Sequence, residues 1–174
     1  GSSFMPLRLT VKGIVFFERP VTFARPFRFG AVVINATPQA FVRVQIEVEG
    51  KGRATGASAE FLVAKWFDKR PHLLPEETVT ELRRSLLIAR ELYLAHSGFE
   101  TAFGLHAACI GAQVEACASE DIPPLAAAYG PAEIDKAILD ALLRCTGTNL
   151  FDGMAANVAG IGARLSRDLA DAEV

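Results

Sequence analysis

The period of the hydrophobic pattern changes once along this chain, and that change limits the folds that the chain can adopt. From Leu7 to Lys12, and again from Val42 to Val48, apolar and polar residues alternate, as in strands with one buried face, and the run from Ile14 to Phe17 is apolar on both faces. Beyond Pro75 the apolar residues recur every three or four positions, as on the buried side of a helix. Strands grouped first and helices grouped afterwards predict an α+β fold, a three-stranded antiparallel meander followed by a helical bundle.

One segment of the strand region is predicted to be irregular. Arg19–Phe29 carries two prolines, which fix φ and remove backbone donors, so an extended loop is expected there. A short strand is expected at Gly30–Ile34. The turn at Glu49–Gly52 has two glycines and leads into Arg53–Glu60, which we predict to be an edge strand or an exposed loop.

Three helices are predicted in the second half of the chain. They are expected after Pro75, from about Glu100 to Cys117, and over Ala132–Cys145, with Gly147 ending the last one. The two glycines of the second helix, Gly104 and Gly111, are expected to allow close packing. The expected buried face of that helix consists of Phe99, Phe103, His106, Ile110, Val114 and Cys117.

Composition excludes several classes of protein. The 174 residues suit one domain, and the 18 basic and 20 acidic residues are dispersed along the chain, so no nucleic-acid partner is expected. The three cysteines are an odd number without CxxC spacing, which predicts free thiols in a reducing cytoplasm. No apolar run approaches the ~18 residues of a membrane-spanning helix, so no membrane partner is expected either.

No familiar catalytic motif occurs in the sequence, and the histidines lack the spacing of metal ligands, so we predict neither catalytic nor metal-binding residues within this chain. His106 is predicted to be a hydrogen-bonded core histidine. Cys109 and Cys117 are predicted to be buried, inert thiols. Asp135 and Asp140 are predicted to be solvated or paired with neighbouring cations.

A basic and aromatic segment leaves two interpretations open. Arg25 and Arg28 lie among three phenylalanines, and their guanidinium groups could grip an anionic ligand bidentately. Alternatively, the phenylalanines fill an edge of the core and the arginines extend past them into water. Trp66–Phe67 presents the same choice, and there a buried anchor for the crossover from sheet to helices is favoured.

Two stretches of the sequence have the order of motifs found in one known family. Phe41–Val44 leads through Gly50–Gly52 to Gly56–Glu60, as a strand, a turn and a returning strand. Ala137–Phe151 follows a helical pattern with an Asp, a basic residue and a Gly-containing end, with Asn149 in place of the usual proline. Across roughly Leu7 to Met154 the chain thereby resembles the amino-terminal capping domain of the enolase superfamily, especially its mandelate racemase and muconate lactonizing branch.

The resemblance implies a division of labour with a second domain. Residues 5–157 would form the capping domain, and residues 158–174 a linker or the start of a barrel domain. In the family, the barrel supplies the Mg²⁺-binding carboxylates and the base that removes a proton α to a carboxylate, in lyases and isomerases. The chain is therefore expected to hold no cofactor itself and to act with a carboxyl-terminal barrel of the same enzyme on a small carboxylate substrate. A homo-oligomer is compatible with this interpretation.

Two loops cover the barrel mouth in the family, and the resemblance assigns substrate-binding residues to both. These are Arg25, Arg28 and Phe29 in the first loop and Ser58 and Glu60 in the second. The alternative is a stand-alone, noncatalytic binding or interaction module with the same fold. The coding sequence downstream of Val174 would distinguish a fragment of a larger enzyme from such a module.

Overall fold

The computed structural model describes residues 6–29 and 31–147 of the 174-residue chain. In this part, an antiparallel sheet in the order β1-β2-β3 comes first and the helices follow, which confirms the predicted α+β fold. The strands are β1 (Leu9–Phe29), β2 (Val32–Val48) and β3 (Gly52–Phe61), and the helices are α1 (Pro75–Ala95), α2 (Ala102–Ser119), α3 (Pro124–Ala127) and α4 (Tyr129–Thr146). The end of the predicted capping domain after residue 147 and the predicted linker at 158–174 lie outside the described residues.

The prediction of a loop at Arg19–Phe29 is wrong, because β1 continues through this segment and pairs with β2 in one long hairpin. Pro20 lies opposite Pro38, so the two residues that lack an N–H share one rung of the ladder. Pro26 falls within the register shift that follows Thr22, where the pairing is already interrupted. Since β1 pairs in the sheet with β2 alone, its outer edge tolerates the missing donors.

Strand β2 places alternate side chains in the core, as the sequence predicts. Its buried residues from Ala40 to Val48 alternate with Arg43, Gln45 and other residues on the opposite face. The strand expected at Gly30–Ile34 is the beginning of β2, described from Val32 onward. The segment predicted as an edge strand or loop forms the edge strand β3.

Helix α4 lies so close to β3 that the two backbones are nearly in contact. A Cβ at Gly56 would come within 2.2 Å of the Ala137 carbonyl oxygen and 2.3 Å of the Ala141 nitrogen, so glycine is required there. At the next residue, the Ala57 N–H donates to the Asp140 carboxylate at 2.9 Å. This bond satisfies a backbone N–H on the outer edge of β3, so α4 is attached to the strand by a hydrogen bond as well as by packing.

Helices α1, α2, α3 and α4 meet at a buried polar junction. The Ser85 hydroxyl donates to the Ala127 carbonyl at 2.8 Å and accepts from the Gly130 N–H at 2.9 Å. The buried Gln113 amide donates to the carbonyls of Ser85 and Ala127, both at 3.0 Å. The bonds to the Ala127 carbonyl and the Gly130 N–H provide partners for buried backbone groups where α3 ends and α4 begins.

The predicted buried face of α2 is wrong except at its last residue. The face that packs into the core consists of Gly104, Leu105, Cys109, Gln113 and Cys117. The helix carries small and apolar residues on all its sides, so the spacing of its apolar residues does not distinguish one buried face. Gly111 is exposed with open space where a Cβ would lie, so it provides no close contact. At Gly104 the atoms nearest to a Cβ would be those of the Glu100 side chain.

Residues 62–74 form the crossover that connects β3 to α1. Lys65 bonds both to α1 and within the crossover, because its N–H donates to the Thr78 hydroxyl at 3.0 Å and its ammonium to the Arg70 carbonyl at 2.6 Å. Helix α4 ends as predicted at Gly147, which adopts the left-handed conformation with φ 65°. Among the described residues, none of the helices is both long and apolar enough to cross a membrane.

Candidate functional site

A cavity of about 580 Å³ lies between the β1–β2 hairpin, the end of β3 and the crossover. Its polar lining residues are Arg25, Thr37 and Glu60. The rest of the wall is apolar and consists of Phe23, Pro26, Phe27, Ile34, Phe61, Val63, Trp66 and Phe67. This volume and this mostly apolar wall with a few polar groups are typical of sites for small organic molecules.

Two aromatic pairs hold the walls of the cavity in place. The Phe23 ring of β1 meets the Phe61 ring of β3 edge to face, with centroids 5.6 Å apart. On the crossover, Phe67 packs in the same way against Tyr129 of α4 at 5.3 Å. The prediction of a buried anchor is therefore supported for Phe67 but wrong for Trp66, which is 46% exposed. An exposed aromatic side chain on a cavity wall can contact a ligand.

The three polar lining residues differ in what they already bind. The buried Thr37 hydroxyl donates to a crossover carbonyl, that of Leu62, at 3.0 Å. The Glu60 carboxylate accepts from its neighbouring N–H at 3.0 Å and from the Lys136 ammonium at 3.4 Å. Within residues 6–29 and 31–147, the exposed Arg25 guanidinium has no hydrogen-bond or ion-pair partner. Arg25 is therefore the group of this cavity best placed to bind an anion.

Glu60 is positioned by a polar cluster between β3 and α4. Lys136 lies between two carboxylates, at 2.6 Å from Glu133 and 3.4 Å from Glu60, and the Ser58 hydroxyl donates to the Glu133 carbonyl at 2.8 Å. Burial raises the pKa of Glu133, although Lys136 opposes the rise. Burial acts to lower the pKa of Lys136, but the two carboxylates outweigh it and raise the pKa. Glu60 thus faces the cavity with its charge partly balanced.

The structure brings two of the five predicted substrate-binding residues to the cavity. Arg25 and Glu60 line it from different strands. Arg28 is exposed farther along the hairpin, and Ser58 faces α4, so neither belongs to the cavity wall. Phe29 is part of β1, but its side chain lies outside the described residues.

The sequence analysis does not predict the contributions of Phe61 and Val63 to the cavity. No motif marks these residues, and they reach the wall because β3 ends beside the hairpin. The available signal was the aromatic content of two segments, the one around Phe23 and the one at Trp66–Phe67. Bulky aromatic residues in two connecting segments often share one surface, since each needs a partner to exclude water.

A separate polar cluster joins three helices around Asp135. The His106 Nδ1 and the Tyr93 hydroxyl each contact one oxygen of this carboxylate, both at 2.6 Å. The hydrogen bond to Asp135 raises the pKa of His106, against the effect of partial burial. His106 is therefore hydrogen-bonded as predicted, but it is half-buried and does not lie in the core. Asp135 is paired as predicted.

The two predicted buried thiols are buried in the structure. Cys109 and Cys117 are 4% and 0% exposed, and neither forms a disulfide. Burial raises the pKa of both thiols, so little thiolate forms near neutral pH. The structure therefore agrees with the prediction that these cysteines are inert.

Three carboxylates surround the guanidinium of Arg70 on the crossover. Its Nη2 lies 2.7 Å from Asp68 and 3.0 Å from Glu81 of α1, and its Nη1 lies 3.0 Å from Asp121 after α2. The bonds from Arg70 lower the pKa of the buried Asp68 to about 2. Burial and the nearby Asp68 raise the pKa of Glu81 to about 7.

A magnesium ion, which the family resemblance implies for the parent enzyme, does not fit among the residues that the structure describes. In this part of the chain, no group of three or more His, Cys, Asp or Glu side chains is arranged to hold a metal. The three carboxylates around Arg70 converge on a guanidinium, whose positive charge occupies the centre of the cluster.

Comparison with known proteins yields no relative: no family model matches the chain, and no curated protein or solved structure matches it significantly. The fold and the cavity are therefore the basis for a functional proposal.

Proposed function

We propose that this chain is the substrate-capping and specificity domain of an enolase-superfamily enzyme that removes a proton α to the carboxylate of a small substrate. In this proposal a carboxyl-terminal barrel of the same enzyme holds magnesium and the base. The observation that supports it is the cavity lined by both Arg25 of the hairpin and Glu60 of β3. These residues come from the two segments that the resemblance assigns to substrate binding.

The proposed role of the cavity is binding and enclosure. Arg25 would pair with a substrate carboxylate through two parallel N–H donors, since guanidinium and carboxylate match in geometry. The aromatic wall, including Phe27 and Trp66, would contact the apolar part of the substrate and keep water away from it. Glu60, balanced by Lys136, would accept a hydrogen bond from a substrate hydroxyl or amine.

Ligand binding by the 174-residue chain tests the role of Arg25. Benzoate, cyclohexanecarboxylate and hexanoate serve as probes, with Trp66 emission and amide chemical shifts as readouts. Loss of a charge-assisted hydrogen bond costs about 1.5–3 kcal/mol, so Arg25→Ala should weaken carboxylate binding by roughly 10- to 100-fold. Arg28→Ala is the matched control, because Arg28 carries the same charge on the same strand outside the cavity wall.

This titration distinguishes a specific anion site at Arg25 from nonspecific attraction of carboxylates to the basic hairpin. We expect Arg28→Ala to bind the carboxylates as the unmodified chain does, and uncharged benzamide to bind weakly to both. Equal losses in the two variants would contradict the assignment of Arg25. In an enzyme that includes the barrel, Arg25→Ala should lower kcat/KM while changing the unfolding free energy by only ~0.5 kcal/mol, as exposed substitutions usually do.

The chain by itself should lack enolisation activity, because in this proposal the metal and base belong to the barrel. Purified chain incubated with Mg²⁺ and a carboxylate in D₂O should show α-proton exchange no faster than buffer, as followed by NMR. Exchange well above buffer would contradict the division of labour. A cytoplasmic location is part of the same proposal, since free buried thiols suit a reducing compartment.

A second function is a stand-alone binding module with this fold. It is favoured by the cavity itself, whose volume of about 580 Å³ and mostly apolar wall are typical of a site for a small organic molecule. The coding sequence beyond Val174 distinguishes the two proposals. A barrel-length reading frame with acidic residues at successive strand ends supports the capping domain, and a stop codon there supports the module.

A further inference from the structure

Glu81 has one carboxyl oxygen whose bonding the ionised form does not explain. Its Oε1 accepts from Arg70 at 3.0 Å, whereas its buried Oε2 has no hydrogen-bond partner when Glu81 and the nearby Asp68 are both ionised. Asp68 and Glu81 bind the same nitrogen of Arg70, Nη2, at 2.7 and 3.0 Å, so their carboxyl groups lie side by side. Two buried carboxylates in contact repel each other, but a single proton between them turns the repulsion into a hydrogen bond.

The charges around this pair favour such a proton. The Arg70 guanidinium contacts Asp68, Glu81 of α1 and Asp121 of the α2–α3 loop. The Lys65 ammonium donates to the Arg70 carbonyl. The Arg84 guanidinium of α1 is engaged by Glu120 at 2.8 Å. With every carboxyl ionised, the Arg70 guanidinium would face three negative charges, two of them on side chains at most 13% exposed.

We propose that Glu81 and Asp68 share one proton beneath Arg70, and that this proton fastens the crossover to α1. Trp66 and Phe67, which form one wall of the cavity, directly precede Asp68 in the crossover. Loss of the proton therefore loosens the wall, and the cavity is more open in alkaline than in acidic solution. This device does not depend on the identity of the ligand or on the function proposed above.

The direction of the pH effect follows from the two carboxyls. The pKa of Glu81 in the folded chain is raised from 4.5 to about 7, so its stabilising effect is complete below the ordinary value and is lost as pH rises through about 7. The pKa of Asp68 is lowered to about 2, so Asp68 stays ionised throughout this range. The crossover is therefore fastened in mildly acidic solution and released above neutrality.

The test uses Trp66, which is the one tryptophan of the chain. Its emission and its quenching by acrylamide are followed between about pH 5.5 and about pH 8.5, where we expect a transition near pH 7 and easier quenching on the alkaline side. Glu81→Gln should abolish the transition and keep the acidic-side values, because the amide can donate to Asp68 and accept from Arg70. Glu91→Gln, an exposed position on the same helix, should keep the transition.

A histidine could produce a transition in the same range, so His72→Gln, in the crossover itself, is a second control and should also keep it. A transition that survives in Glu81→Gln or disappears in His72→Gln would overturn the proposal. The proposal would also be overturned if Glu81→Gln showed, at every pH, the Trp66 emission and quenching of the alkaline side. The Glu81 carboxyl ¹³C shift in the unmodified chain gives a measurement without substitution: a midpoint near 7 supports the shared proton, and one near the ordinary 4.5 refutes it.

Discussion

Replacing Gly56 by alanine should destabilise the protein far more than the addition of one methyl group suggests. The new Cβ would lie 2.2 Å from the Ala137 carbonyl oxygen and 2.3 Å from the Ala141 nitrogen, whereas ordinary Cβ contacts begin at 3.4 Å. Both opposing atoms belong to the α4 backbone, so no side chain can rotate away. The helix would have to move from β3 by about 1.2 Å.

A displacement of this size affects every side chain between α4 and the sheet. A gap of about 0.5–1 Å already forfeits a quarter to a half of the dispersion energy of each contact. Ile134, Ile138 and Leu142 of α4 are fully buried and would move with the helix, and the bond from Ala57 to Asp140 would lengthen as well. We therefore expect a loss of about 3 kcal/mol, at the upper end of the usual cost of overpacking.

The assay is thermal and urea unfolding of Gly56→Ala, with Gly111→Ala as the matched control. Gly111 lies in α2 with no atom within 4 Å of the position that a methyl group would take, so alanine there should stabilise the helix by about 0.5–1 kcal/mol. For a chain of this length, a loss of about 3 kcal/mol at Gly56 corresponds to a fall in Tm of roughly 6–12 °C. If the two variants change stability alike, the close approach of α4 to β3 is not as described.

Three further expectations concern buried polar groups and thiols. Ser85→Ala should cost about 1–3 kcal/mol in urea unfolding, because it leaves the buried Gly130 N–H without its acceptor and removes one of the two donors to the Ala127 carbonyl. Asp135 raises the pKa of His106, so the stability from this pair is complete below the unfolded pKa of about 6.5 and is lost as pH rises through the pKa of the folded chain. His106→Gln should remove that part of the pH dependence of unfolding, and an unchanged dependence would contradict the pairing. Cys109 and Cys117 should react with an aromatic disulfide reagent only after urea unfolding, and rapid reaction in the native chain would contradict their burial.

The order of strands and helices was predictable because period and turn chemistry are local properties. Alternation from Phe41 to Val48 and the glycines at 50 and 52 are enough to define a strand and its turn. The continuation of β1 through Arg19–Phe29 was not predictable, since it depends on Pro20 meeting Pro38 and on a register shift at Pro26. Both are pairing properties that a single segment does not contain.

The cavity was predictable only in part, for a similar reason. Arg25 and the aromatic residues beside it are visible in the sequence as a basic, aromatic segment. That Glu60 joins this wall while Ser58 turns toward α4 follows from the alternation of β3 and from the α4 cluster around Glu133. Asp68 of the crossover and Glu81 of α1 meet at the Arg70 guanidinium, and no sequence pattern indicates that they do.

The outer edges of β1 and β3 also bear on whether copies of the chain associate through their sheets. An exposed strand is a template on which another chain can add, and extended ladders of this kind lead to aggregation. At the β3 margin, the Asp140 carboxylate already accepts the Ala57 N–H. At the β1 margin, Leu9 exchanges two backbone bonds with Glu100, at 2.7 and 2.9 Å, and a register shift follows Val11. With the prolines farther along β1, these features leave an incoming strand few consecutive backbone groups to bind, so the chain should resist polymerisation through its sheet.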